Sequence, residues 1–71
     1  MSTQTVDVVV NGQRRELAGP LSLQDLLDEL DLDPRAVVVE LNREIVRRPA
    51  LAATPVRDGD RIELVHFVGG G

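Results

Sequence analysis

The sequence predicts an α+β domain of two layers, a mixed sheet of four to five strands packed on one α-helix. Three observations carry this prediction. A β-branched run, TVDVVV from Thr5 to Val10, leads directly into Asn11-Gly12, the strongest short signal for a two-residue hairpin. One segment only, LSLQDLLDEL, has apolar residues at helical spacing. Two further apolar runs, AVVVEL and RIELVHFV, supply strands later in the chain. One helix covers one face of one sheet, which gives two layers.

Each element follows from local chemistry. In the first strand Val6, Val8 and Val10 alternate onto one face. Asn11-Gly12 turns the chain because both central residues of a type I′ turn need positive φ, and Gln13 to Leu17 reads as the return strand, its arginines on a solvated face. Gly19-Pro20 breaks the chain. Ser22 is then the expected N-cap, with Asp25 three residues on as the acid of a capping box, and Leu21 and Leu26 at the two positions of a hydrophobic staple. Leu23, Leu26, Leu27 and Leu30 form one stripe for the core, and Asp33-Pro34 ends the helix at the latest.

Ala36 to Leu41 is a continuous apolar run, expected as a central strand buried on most of both sides. Asn42-Arg43 turns it into a short strand at Glu44 to Val46. Pro49 and Pro55 make the next stretch irregular, with one helical turn expected at Ala50 to Ala53. Asp58-Gly59-Asp60 is a tight turn, and Arg61 to Val68 is the last strand. The first and last strands, both long and apolar, are expected side by side at the sheet centre.

Composition excludes several kinds of function. The 71 residues make one domain with a modest core and little room for a deep pocket. With no cysteine there is no disulfide framework, thiolate nucleophile or thiolate metal site, and a lone histidine, His66, cannot build a metal cluster. No apolar run approaches the ~20 residues of a membrane helix, and MSTQTVDVVV lacks the basic start and cleavage pattern of a leader. The expected compartment is the cytoplasm. A formal net charge of −4 argues against nucleic acid and suits docking to a basic protein surface. All eight basic residues are arginine, so no ε-amine is offered for a Schiff base or an isopeptide bond, and the single aromatic residue, Phe67, cannot form a stacking platform for bases.

Alternation divides the last strand. Ile62, Leu64 and His66 face one way; Glu63, Val65 and Phe67 face the other. If the first set meets the helix, Val65 and Phe67 lie on the open face beside the final glycines and suggest a docking patch; Phe67 folded back onto its own strand is the alternative. Gly69, Gly70 and Gly71 have no Cβ, and three extended residues reach ~10 Å, enough to enter a narrow channel in a partner. Glycines at a chain end also read as simple fraying. As a working end, they present an unhindered carboxylate. A carboxylate is a poor electrophile until it gains a leaving group; adenylation by ATP supplies one, and a sulfur nucleophile could then displace AMP. Such a carrier supplies the reacting acyl end while its partners supply ATP binding and catalysis.

Two stretches, AVVVELNREIV and TPVRDGDRIELVHFVGGG, resemble the sulfur carrier proteins of thiamine biosynthesis, a β-grasp (ubiquitin-like) family, and the resemblance extends over about residues 5 to 71. It implies one carrier domain over residues 1–71 with a flexible tail at 69–71, acting as a co-substrate of partner enzymes and not as an enzyme. Gly71 matches the glycine that is adenylated and converted to a thiocarboxylate, Gly70 its partner in the Gly-Gly pair, and Gly69 a further flexible residue. Val65 and Phe67, with Val68 beside them, match positions that meet partners. The implied partners are an adenylating enzyme resembling the ubiquitin-activating enzymes, which uses Mg and ATP; a persulfide sulfur donor such as a cysteine desulfurase; and thiazole synthase as the acceptor. No bound cofactor, nucleic acid or membrane is implied, and the free protein is expected to be a monomer. Arg47-Arg48-Pro49 departs from the Val-Pro-Arg-like run more common after Glu-Ile in the family.

Three other readings stay open at this point. The small subunit of molybdopterin synthase shares fold, tail and thiocarboxylate, although its tail more often follows a proline-containing segment. A carrier for another sulfur-transfer pathway, such as tRNA thiolation, has the same chemistry. A ubiquitin-like binding module whose tail is never activated, or a protein modifier, would share the fold without the sulfur.

Overall fold

A computed structural model describes residues 4–67. The chain forms strands β1 (Gln4–Val10) and β2 (Gln13–Gly19), helix α1 (Leu23–Glu29), a 3-10 turn (Pro34–Ala36), strands β3 (Val37–Leu41) and β4 (Glu44–Val46), a short helix α2 (Arg48–Leu51) and strand β5 (Arg61–His66). The five strands make one mixed sheet in the order β2-β1-β5-β3-β4. β1 and β5 lie side by side, as expected for the two long apolar strands; they run parallel, and every other pairing is antiparallel.

Two hairpins flank β5. In the first, Val10 pairs with Gln13 across Asn11-Gly12, whose φ values of 49° and 80° are the positive angles a type I′ turn demands. The second has the same two-residue form at Asn42-Arg43, with φ of 50° and 74°. Both turn asparagines also bond to β5 from opposite sides. The Asn11 side-chain Nδ2 donates to the Leu64 carbonyl at 3.1 Å, and its Oδ1 accepts from the Leu64 N–H at 2.7 Å. The Asn42 Oδ1 accepts from the Arg61 N–H at 2.9 Å, while its backbone N–H donates to the Arg61 carbonyl at 2.7 Å. β1 therefore stops pairing through its backbone at Asn11, and the asparagine side chain continues the ladder two residues further.

The Asp58-Gly59-Asp60 turn is sewn to β1 in the same way. The Asp58 Oδ1 accepts from the Asp7 N–H at 2.7 Å, and the Gly59 N–H donates to the Asp7 carbonyl at 2.8 Å. Gly59 holds φ of 85°, a region open to it because it lacks a Cβ.

α1 begins as its sequence dictates. The Ser22 hydroxyl accepts from the Asp25 N–H at 3.1 Å, and the Asp25 carboxylate accepts from the Ser22 N–H at 2.9 Å, a complete capping box. Leu23, Leu26 and Leu27 are fully buried, Leu30 packs at the margin, and the staple residue Leu21 is buried as well. On the sheet side the core is Val6, Val8, Val10, Leu17, Val37, Val39 and Ile62.

Four expectations shift. β2 runs two residues past Leu17, because Ala18 and Gly19 still pair with Thr5 and Gln4. The turn expected at Ala50 to Ala53 starts instead at Arg48, since Pro49 in the first turn presets φ and has no N–H to lose. Its Leu51 is buried, and two backbone bonds, Leu23 N–H to Thr54 carbonyl and Val56 N–H to Leu21 carbonyl, tie the stretch after it to the start of α1. β3 is an interior strand, but β5 holds the centre. Val38 is only half-buried, because the single helix leaves that face of the sheet open. β5 ends at His66 and Phe67 lies just past it; Val68, included in the expected strand, is outside the described residues.

The 3-10 turn is an addition. The Asp33 Oδ1 accepts from the Arg35 N–H at 2.9 Å, and the two side chains form an ion pair at 3.0 Å. Hydrogen bonding from the Arg35 side chain and backbone holds the exposed Asp33 carboxyl below its ordinary range. Among the described residues no helix is long and apolar enough to cross a membrane.

The Asn11 pairing can be measured. Asn11→Gly keeps the backbone angle and removes two hydrogen bonds, so it should cost about 1–2 kcal/mol; Asn11→Ala should cost about 1 kcal/mol more, from the positive φ. Urea denaturation with an unchanged slope reads both. Equal stability of all three proteins would show that the side-chain pairing contributes nothing.

Candidate docking face and chain end

β5 sorts its side chains to two faces, and its neighbours set which is which. Ile62 is fully buried under α1. Val65 and Phe67 point away from the helix and are each 53% exposed. The strand register then identifies what lies beside them. Val38 pairs with Val65, and Glu40 pairs with both Glu63 and Ile45, so all of these share the open face. Ile45 is 65% exposed. The expected patch of Val65 and Phe67 is therefore larger: Ile45 and the half-buried Val38 extend it toward the β4 edge. Ile45 was legible only through register, since a three-residue strand shows too little alternation to assign its faces.

The open face is not uniformly apolar. Glu40 and Glu63 stand directly opposite each other across β3 and β5, an unfavourable pairing on its own. A cationic side chain from a docking partner would relieve it. The apolar pair Val38 and Val65 lies one row nearer the end of β5.

The route to the chain end is anchored on both sides as far as it is described. The Asn11 side chain holds Leu64 on the β1 side, and the Phe67 N–H donates to the Ala36 carbonyl at 3.2 Å on the β3 side. Phe67 is thus fixed through its backbone while the residue stays about half exposed. The proposed carrier residue Gly71, the tail residues Gly69 and Gly70, and Val68 lie outside the described residues. His66 is exposed at the end of β5 opposite Val37, and among the described residues no group of His, Cys, Asp or Glu is arranged to hold a metal ion.

Comparison with known proteins places this geometry. A protein-family model described as the ThiS family matches residues 8–71. The sulfur carrier protein ThiS of Bacillus subtilis is 44% identical over 50 residues, which are 70% of this chain and 76% of that one. The crystal structure of a thiamine biosynthesis protein (ThiS) from Geobacter metallireducens superposes with a TM-score of 0.80 at 39% identity, covering 93% of this chain and all of that one. A thiazole synthase of Paramagnetospirillum magneticum is 44% identical over 64 residues, 90% of this chain but only 20% of its own length, so the present chain spans about a fifth of that relative.

The exposure of the open face has a direct consequence for stability. Phe67→Ala and Ile45→Ala should each change the unfolding free energy by less than about 1 kcal/mol, whereas Leu27→Ala, at a fully buried position, should cost about 2–5 kcal/mol. Chemical denaturation of the three variants checks this. A large loss for Phe67→Ala would mean that the ring is part of the core.

Proposed function

The chain belongs to the ThiS family, and on that basis we propose that it is a sulfur carrier in the biosynthesis of the thiazole moiety of thiamine, a co-substrate of partner enzymes and not itself the catalyst. Gly71 is the carrier residue. An adenylating enzyme, using ATP and Mg, joins AMP to its carboxylate and releases pyrophosphate. The terminal sulfur of a persulfide, such as one formed on a cysteine desulfurase, attacks the acyl adenylate and expels AMP. A thiol then cleaves the S–S bond and leaves a thiocarboxylate on Gly71. Thiazole synthase accepts this sulfur.

The observation that carries the reading is the extent of the family match, which runs through the glycines to Gly71. The Paramagnetospirillum protein named thiazole synthase contains a stretch similar to 90% of this chain, which supports thiazole synthase as the acceptor over the acceptors of other sulfur pathways. The geometry of β5 supports the division of labour. Its buried face anchors the strand and its open face offers Val65 and Phe67 for docking, so that binding energy is gathered on the domain and not at the reacting residue.

Incubation with the activating enzyme, ATP, Mg and a persulfide donor should replace one terminal oxygen by sulfur, read by intact mass spectrometry. Deleting Gly70-Gly71 should leave the denaturation curve in place and abolish that mass change; sulfur uptake by the shortened chain would refute Gly71 as the carrier residue. Separately, Phe67→Ala should weaken the complex with the activating enzyme by about tenfold or more in calorimetry, as expected for an aromatic docking residue. Unchanged affinity would remove Phe67 from the interface.

A further inference from the structure

The end of the sheet near β4 holds a groove that adjoins the docking face and shares Val38, Ile45 and Phe67 with it. β4 is three residues long, and its last residue, Val46, pairs with Val39. β3 continues two residues beyond that point, so Val37 and Val38 have no strand beside them on the β4 side. The chain turns away there through Arg47 into α2. The result is a notch of about 460 Å3 at the sheet edge. Its apolar walls include Val37, Val38, Ile45 and Phe67, and Arg35, Arg47 and Arg48 stand around it.

The charge of this notch opposes that of the whole protein. The chain carries 12 acidic and 8 basic residues. Three of the arginines line the groove, and none of the acidic residues does. Arg35 is compensated by its ion pair with Asp33 just outside. Arg47 and Arg48 are exposed and, among the described residues, make no ion pair. They are also the residues at which the sequence departs from the run more usual in the resembling family.

We propose that this groove binds an extended acidic segment of a partner protein, one that alternates carboxylate and apolar side chains. Each part of the notch matches one property of such a segment. The unpaired stretch of β3 is a sheet edge that an extended backbone can join in line beyond β4. Alternation then turns every second side chain to the apolar walls and the others to the rim. There, guanidinium groups bind carboxylates through paired, charge-assisted hydrogen bonds. The groove is continuous with the open face through Val38, Ile45 and Phe67, so a partner docked on that face can lay such a segment into it. The proposal does not rest on sulfur transfer and is tested on the chain alone.

The probe is a blocked hexapeptide of alternating glutamate and valine, titrated into the 15N-labelled chain at low salt, with glutamine–valine and lysine–valine peptides as controls. Saturable shifts are expected at the amides of Val37, Val38, Arg47 and Arg48. The glutamine peptide should bind about tenfold more weakly and the lysine peptide not measurably. The Arg47→Ala/Arg48→Ala double variant changes only exposed residues, so its spectrum should remain that of the folded chain while its affinity for the glutamate peptide falls about tenfold or more. Absence of saturable shifts at these amides, equal binding of the glutamine peptide, or unchanged affinity of the double variant would each overturn the proposal. So would a single-stranded oligonucleotide that shifts the same amides with equal affinity, since the groove would then select phosphate and not an acidic peptide.

Discussion

The rest of the structure depends on the parallel pairing of β5 with β1 at the middle of the sheet. These strands are far apart in sequence, and their backbone register covers only Val9 with Arg61 and Val10 with Ile62. So short a parallel ladder would be weak alone. Side chains, and the Gly59 amide, lengthen it at both ends. Asp58 and Gly59 satisfy Asp7 before the ladder begins, and Asn11 satisfies Leu64 after β1 has turned away. On the opposite side Asn42 secures Arg61 to the second hairpin. The asparagines serve twice, since each tolerates the positive φ of its turn and each carries an amide that can imitate a peptide group toward β5.

A strand fixed in this way can be asked to do two things at once. One helix covers one face of the sheet, so the inward set of β5, led by Ile62, contributes to the core and the outward set does not. Val65 and Phe67 are held in place without being used up in packing, and Ile45 and Val38 join them through the register of β3 and β4. A domain of this size supplies presentation where a larger one would supply a catalytic pocket. That is consistent with the proposed carrier role, in which partners supply ATP binding and catalysis.

Much of the fold was legible because it is written in short-range chemistry. Asn11-Gly12, the Ser22–Asp25 capping box, the leucine stripe of α1 and the alternation of β5 each lie within a few residues of sequence, and each is present in the structure. The features that escaped are set by partners remote in sequence. The pairing of Asn11 with Leu64 spans 53 residues, and nothing near either residue announces it. Ile45 showed its face only once Glu40 and Glu63 were aligned with it. Leu51 was hidden between two prolines in a stretch that reads as irregular, yet it is buried against the core. The residues expected to carry the chemistry divide in the same manner. Val65 and Phe67 stand where alternation placed them, while the glycines have no side chains to form a pattern: the residues alone reach a presented carboxylate, and the assignment of a thiocarboxylate to Gly71 rests on the family resemblance.

Native-state hydrogen exchange tests the central claim, that β5 is a clamped central strand up to Leu64 and not a loosely attached chain end. The account predicts that the amides of Asn11, Ile62 and Leu64 exchange among the slowest in the protein, with opening free energies close to that of global unfolding. Exchange of Leu64 at the rate of an unprotected terminus, while Val8 and Leu27 remain protected, would contradict it.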